Sequence, residues 1–193
     1  MGTVVQAKWL SLLERTISNC KRCPLYKQRK NPVPGEGNIH ADLMFVGEGP
    51  GADEDQQGRP FVGRAGKRLD LWIRDYLGMK REDVYIANTV KCRPPGNRVP
   101  TMEEIGMCFP YLLVQISFIK PKVIVALGKT AAQDLLGLTK VTSLKRLRIE
   151  NPYRRDGYYV VVTYHPAAVL RNISYESAVR DDLIIVRDLL EVS

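Results

Sequence analysis

The chain has 193 residues, 45% of them hydrophobic, which suits one domain over residues 1–193 with a real core and argues against intrinsic disorder. Lys and Arg number 29 against 21 for Asp and Glu, a formal net charge of +8 that favours a polyanionic partner. The longest apolar runs fall far short of the roughly 20 residues of a membrane-spanning helix, and "MGTVVQAKWL" lacks a signal peptide's layout, so a soluble cytoplasmic protein with no membrane partner is expected.

In chain order, Trp9, Leu12, Leu13 and Ile17 fit one face of a helix ending near Cys20. "DLMFVG" (42–47) reads as a short buried strand running into the glycine-rich turn "GEGPG". A helix follows from Arg64 to Leu77 with Leu69, Trp72, Ile73, Tyr76 and Leu77 inward and Gly78 as its stop. "DVYIANTV" (83–90) is the second strand. Thr101 and Glu104 have capping-box spacing for a helix that buries Ile105, Cys108, Phe109, Leu112, Leu113 and Ile116 and stops before Pro121. "KVIVALG" (122–128) is the third strand and "KTAAQDLLG" a short helix. Residues 138–159 read as a basic hairpin or loop excursion with an Asp156-Gly157 turn. "YYVVVTY" (158–164) is the fourth strand, and a last helix runs from Tyr175 to Val192.

Strands alternating with helices predict a parallel sheet covered on both faces, with ligands bound beyond the carboxyl ends of the strands. "GEGPG", "NTVKCRPP", "GKTAA" and "HPAAVLRN" each follow a strand, so all four should meet at one crevice.

The four cysteines are Cys20, Cys23, Cys92 and Cys108, a C-x2-C pair and two single residues. Four thiolates match a tetrahedral zinc site or an iron-sulfur cluster. Disulfides, or two buried structural thiols beside a chance C-x2-C, are the alternatives, and Cys108 on an inward stripe fits the latter equally. The gap between Cys23 and Cys92 is unlike a zinc ribbon, which has two close pairs.

"GEGPGADEDQQGRPFVGRAGKRLD", "NTVKCRPPGNRVP" and "HPAAVL", together with the cysteine set, closely resemble the family-four uracil-DNA glycosylases of thermophilic bacteria and archaea. The match runs from Cys20 to about Asn172 and implies a three-layer α/β/α fold with a four-stranded parallel sheet. It also implies that Cys20, Cys23, Cys92 and Cys108 hold a 4Fe-4S cluster. The expected substrate is uracil in single- or double-stranded DNA, cut by a monomer near the nucleoid, and the likeness to archaeal members makes a sliding clamp a further partner.

An enzyme acting on a base in DNA must extrude it from the stack and read its pairing edge in a closed pocket. Phe61 matches the family's stacking residue and Asn88 its edge reader, the amide oxygen accepting from uracil N3–H while the amide NH2 donates to O4. His165, one of only two histidines, matches the catalytic residue, a donor aimed at the charge that develops on uracil O2. The "GEGPG" glycines allow close backbone approach. Gly49 stands where other glycosylases of the wider superfamily place an aspartate, so Glu48 becomes the candidate for positioning water, and Glu54 or Asp55 for shaping the pocket near uracil C5. No histidine lies between His40 and His165, so turnover without a covalent DNA adduct is expected.

Arg93 and Arg98 in "CRPPGNR", and Lys129 at a helix start, suit phosphate contacts. Leu170, with Arg171 beside it, is a candidate wedge for the vacated stack, or else packs beneath the last helix. Two rival functions are a non-catalytic nucleic-acid-binding module holding zinc and a nucleotide-metabolising enzyme. The turn lacks the lysine and spacing of a P-loop, which counts against the second.

Overall fold

The computed structural model describes residues 2–139, 143–155 and 157–192. Four strands form the parallel centre: β2 (Leu43–Gly47), β3 (Tyr85–Asn88), β4 (Val123–Leu127) and β6 (Tyr158–Thr163). Two short strands add antiparallel edges, β1 (Glu36–Gly37) on β3 and β5 (Tyr153–Arg155) on β6, so the sheet has six strands in the order β1-β3-β2-β4-β6-β5. The expected four-stranded sheet is therefore its core. Strands this short, buried on both faces, read as continuous apolar runs, which is why the inner four were legible.

The pleat divides the core in two. Met44, Val46, Tyr85, Ala87, Ile124, Ala126, Val160 and Val162 face α4 (Met102–Ile119), α5 (Lys129–Leu136) and α6 (Leu144–Ile149). Leu43, Phe45, Ile86, Val123, Val125 and Val161 face α3 (Arg64–Leu77), α7 (Pro166–Arg171) and α8 (Glu176–Val192). The remaining helices are α1 (Gly2–Ser18), which packs on α4, and α2 (Ala52–Gln57), which follows the glycine-rich turn.

Helix α3 has the expected ends, and Gly78 closes it in the left-handed region at φ 65°. The capping box of α4 is present: the Glu104 amide donates to Thr101 Oγ1 at 3.2 Å and the Thr101 amide to Glu104 Oε2 at 2.8 Å. Its buried stripe is narrower than expected, for Phe109 is half-buried and Leu113 is exposed. By length and mean hydropathy α4 resembles a membrane span, contrary to the reading from apolar runs, but its buried face packs against the sheet and the cysteines.

Two readings are corrected. In α1 the buried residues among those described are Leu10, Leu13 and Ile17, while Leu12 is about half exposed and Trp9, equally exposed, stacks on Phe118 of α4 with ring centroids 5.7 Å apart. The stretch read as a hairpin or loop excursion does end in an antiparallel pair, β5 on β6, but before it the chain forms α6, held by a buried ion pair between Arg148 and Asp182 of α8 at 2.6 Å, and Asp182 also accepts from Thr163 Oγ1 at 2.6 Å. Position 156 of the proposed Asp-Gly turn lies outside the described residues.

Candidate active site

The carboxyl ends of β2, β3, β4 and β6 open into one cleft of about 670 Å³, within the usual size of a small-molecule site. All four expected loops contribute to it, including Glu48, Gly49, Asn88, Gly128, Lys129 and His165.

Asn88 closes β3 and is 2% exposed, and its Oδ1 is buried without a hydrogen-bond partner among the described residues. An unpaired buried acceptor costs about 1–3 kcal/mol, so this oxygen is set for a donor from outside the chain. Phe61 lies beside it. A Cβ on Gly47 would stand 2.5 Å from Asn88 Oδ1 and 2.6 Å from Phe61 Cζ, so glycine here is what lets the Asn88 amide and the ring share one spot.

Phe61 sits at φ 49°, a rare conformation for a phenylalanine. Arg81 holds it there, donating to the Phe61 and Pro60 carbonyls at 3.1 and 2.6 Å while it pairs with Glu36 at 2.8 Å and Asp70 at 2.7 Å. Gly66 of α3 admits the bend, since a Cβ there would overlap the Phe61 carbonyl. The Phe61 ring stands 5.5 Å from the His165 ring.

His165 caps the N-terminus of α7: its Nδ1 accepts from the Ala167 amide at 3.1 Å. Burial, and then the charge of Arg171, lower its pKa to about 4. At neutral pH the ring is therefore uncharged, and with Nδ1 occupied as an acceptor its proton sits on Nε2. Pro166 at the first helical position sets the ring's approach.

The carboxylates divide. Glu48 lines the cleft, and its Oε2 accepts from Thr130 Oγ1 at 2.5 Å. Behind it burial pushes Asp134 up to about 6, with the Glu48 charge adding to the shift. Glu54 also lines the cleft, but its carboxylate is taken by backbone: Oε1 accepts from the Val62 and Gly63 amides at 2.9 and 3.0 Å, Oε2 from the Gly51 amide at 3.1 Å. These bonds hold the "RPFVG" turn from within the cleft lining, where a pocket residue was expected. Asp55 is a correction, being buried under Lys30 and Asn31, whose amides donate to its Oδ1, and not part of the cleft lining.

Of the basic residues, Lys129 and Arg171 are exposed and line the cleft. Arg98 lines it as well but is held in a bidentate pair with Glu104 at 2.7 and 2.8 Å, so it braces the loop. Arg93 lies outside the cleft lining, bonded to Asn97 Oδ1 at 2.7 Å. Leu170 is 41% exposed rather than packed beneath α8, with Val169 taking the core position, and Ile173 beside it is 65% exposed.

The four cysteines, from the end of α1, the loop after β3 and α4, all border one small cavity, and none is in a disulfide. Arg29 Nη1 donates to Cys92 Sγ at 3.1 Å and the Lys91 amide to Cys108 Sγ at 3.2 Å, contacts that favour thiolates. Burial nonetheless raises the pKa of Cys23 and Cys92, and pushes Cys108 up to about 11, so thiolates here need a cationic centre beside them. Among the described residues no three His, Cys, Asp or Glu side chains are grouped as one ion would require. Convergence, free thiols and N–H donors to sulfur fit a thiolate-held centre.

Sequence reading included Gly47 among the "GEGPG" glycines that allow close approach but did not find Arg81, Thr130 or Asp134. "LMFVG" gives a signal for Gly47, since a strand that ends in glycine marks close approach; the others are recognisable only from their partners in space.

The family model described as the uracil DNA glycosylase superfamily matches residues 34–184. The type-4 uracil-DNA glycosylase of Pyrobaculum aerophilum is 45% identical over 179 residues, 90% of this chain and 91% of that protein. That of Thermotoga maritima is 48% identical over 167 residues, 86% of each chain. The one of Saccharolobus solfataricus is 44% identical over 186 residues, 94% of this chain and 86% of the relative. The chain belongs to the uracil DNA glycosylase superfamily and, within it, to the type-4 enzymes.

Proposed function

We infer that this chain is a uracil-DNA glycosylase, which takes uracil from the stack of DNA and hydrolyses its N-glycosidic bond to leave an abasic site, the first step in repair of deaminated cytosine. Family membership carries the activity. The observation that carries the residue roles is the unpartnered Asn88 Oδ1 in the wall of the cleft.

In this reading the flipped base stacks on Phe61, Asn88 Oδ1 accepts from uracil N3–H, and its NH2 donates to O4. Cytosine presents the opposite pattern at both atoms, so a fixed amide would leave buried groups unpaired and reject it. The His165 Nε2–H donates to O2. As the glycosidic bond breaks, negative charge collects on O2 and this bond strengthens, so the donor favours the transition state over the bound substrate. A neutral imidazole is a poor acid, and uracil leaves as an anion held by that hydrogen bond. The Gly49 turn brings backbone close to the base. Glu48, held by Thr130, orients the water that attacks the sugar carbon. Glu54 acts at one remove, holding the turn that presents Phe61.

Lys129 and Arg171 at the cleft mouth meet phosphates, with Arg93 and Arg98 stiffening the neighbouring loop, so binding falls with salt. Leu170 enters the stack that uracil leaves.

Cys20, Cys23, Cys92 and Cys108 would hold a 4Fe-4S cluster, which when bound supplies a cross-link rather than a reacting group. Sulfurs spread around a cavity support a cluster over a single zinc ion. One domain acting as a monomer in the cytoplasm, with a sliding clamp as a further partner, completes the proposal; the clamp rests on resemblance alone.

The test is incubation with oligonucleotides carrying uracil in U:G, U:A and single-stranded contexts, followed by alkali. Strand scission is expected, without a denaturation-resistant protein-DNA band, and it should be lost in the His165→Ala, Asn88→Ala double variant. Full activity in that variant would overturn the residue roles, and no scission by the wild type would overturn the function.

A further inference from the structure

Lys91 is among the largest fully buried side chains, 1% exposed. Its ammonium donates to two neutral oxygens, the Asn88 carbonyl at 2.8 Å and Gln115 Oε1 at 2.6 Å. No carboxylate pairs with it among the described residues. Gln115 has no freedom to turn, because its Nε2 donates to the Pro34 carbonyl at 2.8 Å and to Tyr85 Oη at 3.1 Å. A cation this deep, met only by neutral acceptors, is strongly unfavourable unless negative charge lies near.

The nearest source is the cysteine cavity, which Lys91 borders. Its own amide donates to Cys108 Sγ at 3.2 Å, and Cys92 is the next residue in the chain. Four thiolates carry more negative charge than a 4Fe-4S core neutralises, so a loaded site leaves a net negative charge beside the buried ammonium. On the other side, the same ammonium holds the backbone carbonyl of the residue that reads the base.

We propose that Lys91 is a positioning residue that couples the two sites: its ammonium is the internal counter-charge of the cysteine-held cluster, and through the Asn88 carbonyl it places the uracil-reading amide. The proposal rests on the cluster reading, and it makes the base pocket depend on a loaded cysteine site through one side chain rather than through general stability.

Two variants of the purified holoprotein test it. Lys91→Met removes charge and hydrogen bonds. Gln115→Glu keeps the bond to Lys91 and neutralises the ammonium within the same pair, and touches neither site; because it gives up the Nε2 donations to the Pro34 carbonyl and Tyr85 Oη, Gln115→Leu, which loses those donations without adding charge, is measured alongside as its control. Iron release to a chelator and inhibition of excision by free uracil are measured for each. Lys91→Met should release iron on the order of 10-fold faster and be inhibited by uracil on the order of 10-fold more weakly, as loss of an outer-shell partner usually does. Gln115→Glu should speed iron release comparably while uracil inhibition stays within about two-fold, since the Asn88 contact is kept. A purely structural lysine predicts iron release no faster in Gln115→Glu than in Gln115→Leu, and that result overturns the proposal even if Lys91→Met fails to fold. A folded Lys91→Met with wild-type uracil inhibition overturns the link to Asn88. Wild-type protein that excises uracil but holds no iron would remove the premise while leaving the glycosylase reading intact.

Discussion

Gly47 and Asn88 are register partners on the neighbouring strands β2 and β3, and a Cβ on Gly47 would stand 2.5 Å from the Asn88 amide oxygen. The Asn88 amide is thus held against bare backbone, with the Phe61 ring pressed on the same spot.

Gly47→Ala should therefore displace both groups. Overpacking costs about 1–3 kcal/mol of stability. Excision should fall further, on the order of 100-fold, as when a fixed transition-state donor is lost. Single-turnover excision beside urea unfolding checks this; unchanged excision in a folded variant would show that the pair does not set the pocket.

The His165 pKa gives a pH dependence with a definite sign. The imidazole titrates at its ordinary 6.5 when unfolded and at about 4 when folded. Between these values the unfolded chain binds the extra proton, so stability contributed by this group is full above pH 6.5 and declines as pH falls toward 4. Thermal melts across that range should show a shallower decline for His165→Ala than for wild type, and equal slopes would contradict the neutral buried ring.

Leu170 and Ile173 form an exposed apolar tip beside the cleft residue Arg171. Replacing Leu170 by alanine should slow excision from duplex DNA about 10-fold and leave single-stranded substrate within about two-fold, because only the duplex needs its stack filled. Equal losses on both substrates would assign Leu170 to folding instead.

Glu54 receives three backbone amides. Glu54→Ala should lower stability by about 1–2 kcal/mol, as loss of a helix cap does, and should reduce uracil excision through Phe61 without creating activity on thymine. Thymine excision by the variant would restore a role near C5. Oligonucleotide cleavage with both bases, beside a melting curve, distinguishes the two.

Much of the architecture was legible because local rules decided it. Gly78 ended α3 and the Thr101–Glu104 box started α4 without reference to anything distant. Helix α6 was missed because what holds it is Arg148 on Asp182, 34 residues away. The face of α1 was misread at Leu12, which a helix touching its neighbour along one seam leaves half exposed, whereas Trp9 stacks on Phe118 of α4.

By itself the sequence determined the order of elements, the loops that meet at the cleft and the candidacy of the cysteines, since periodicity, caps and turn chemistry act over a few residues; Phe61, Asn88 and His165 became candidates through the resemblance to a known family. Only the tertiary structure decided the states of those groups. Burial made His165 neutral, left the Asn88 oxygen without a partner and enclosed the Lys91 ammonium. Backbone amides took up the carboxylate of the cleft residue Glu54, and Glu104 took up the guanidinium of Arg98. Charge state and hydrogen-bond occupancy depend on which groups approach and how much water leaves, and both are set by residues remote in the chain.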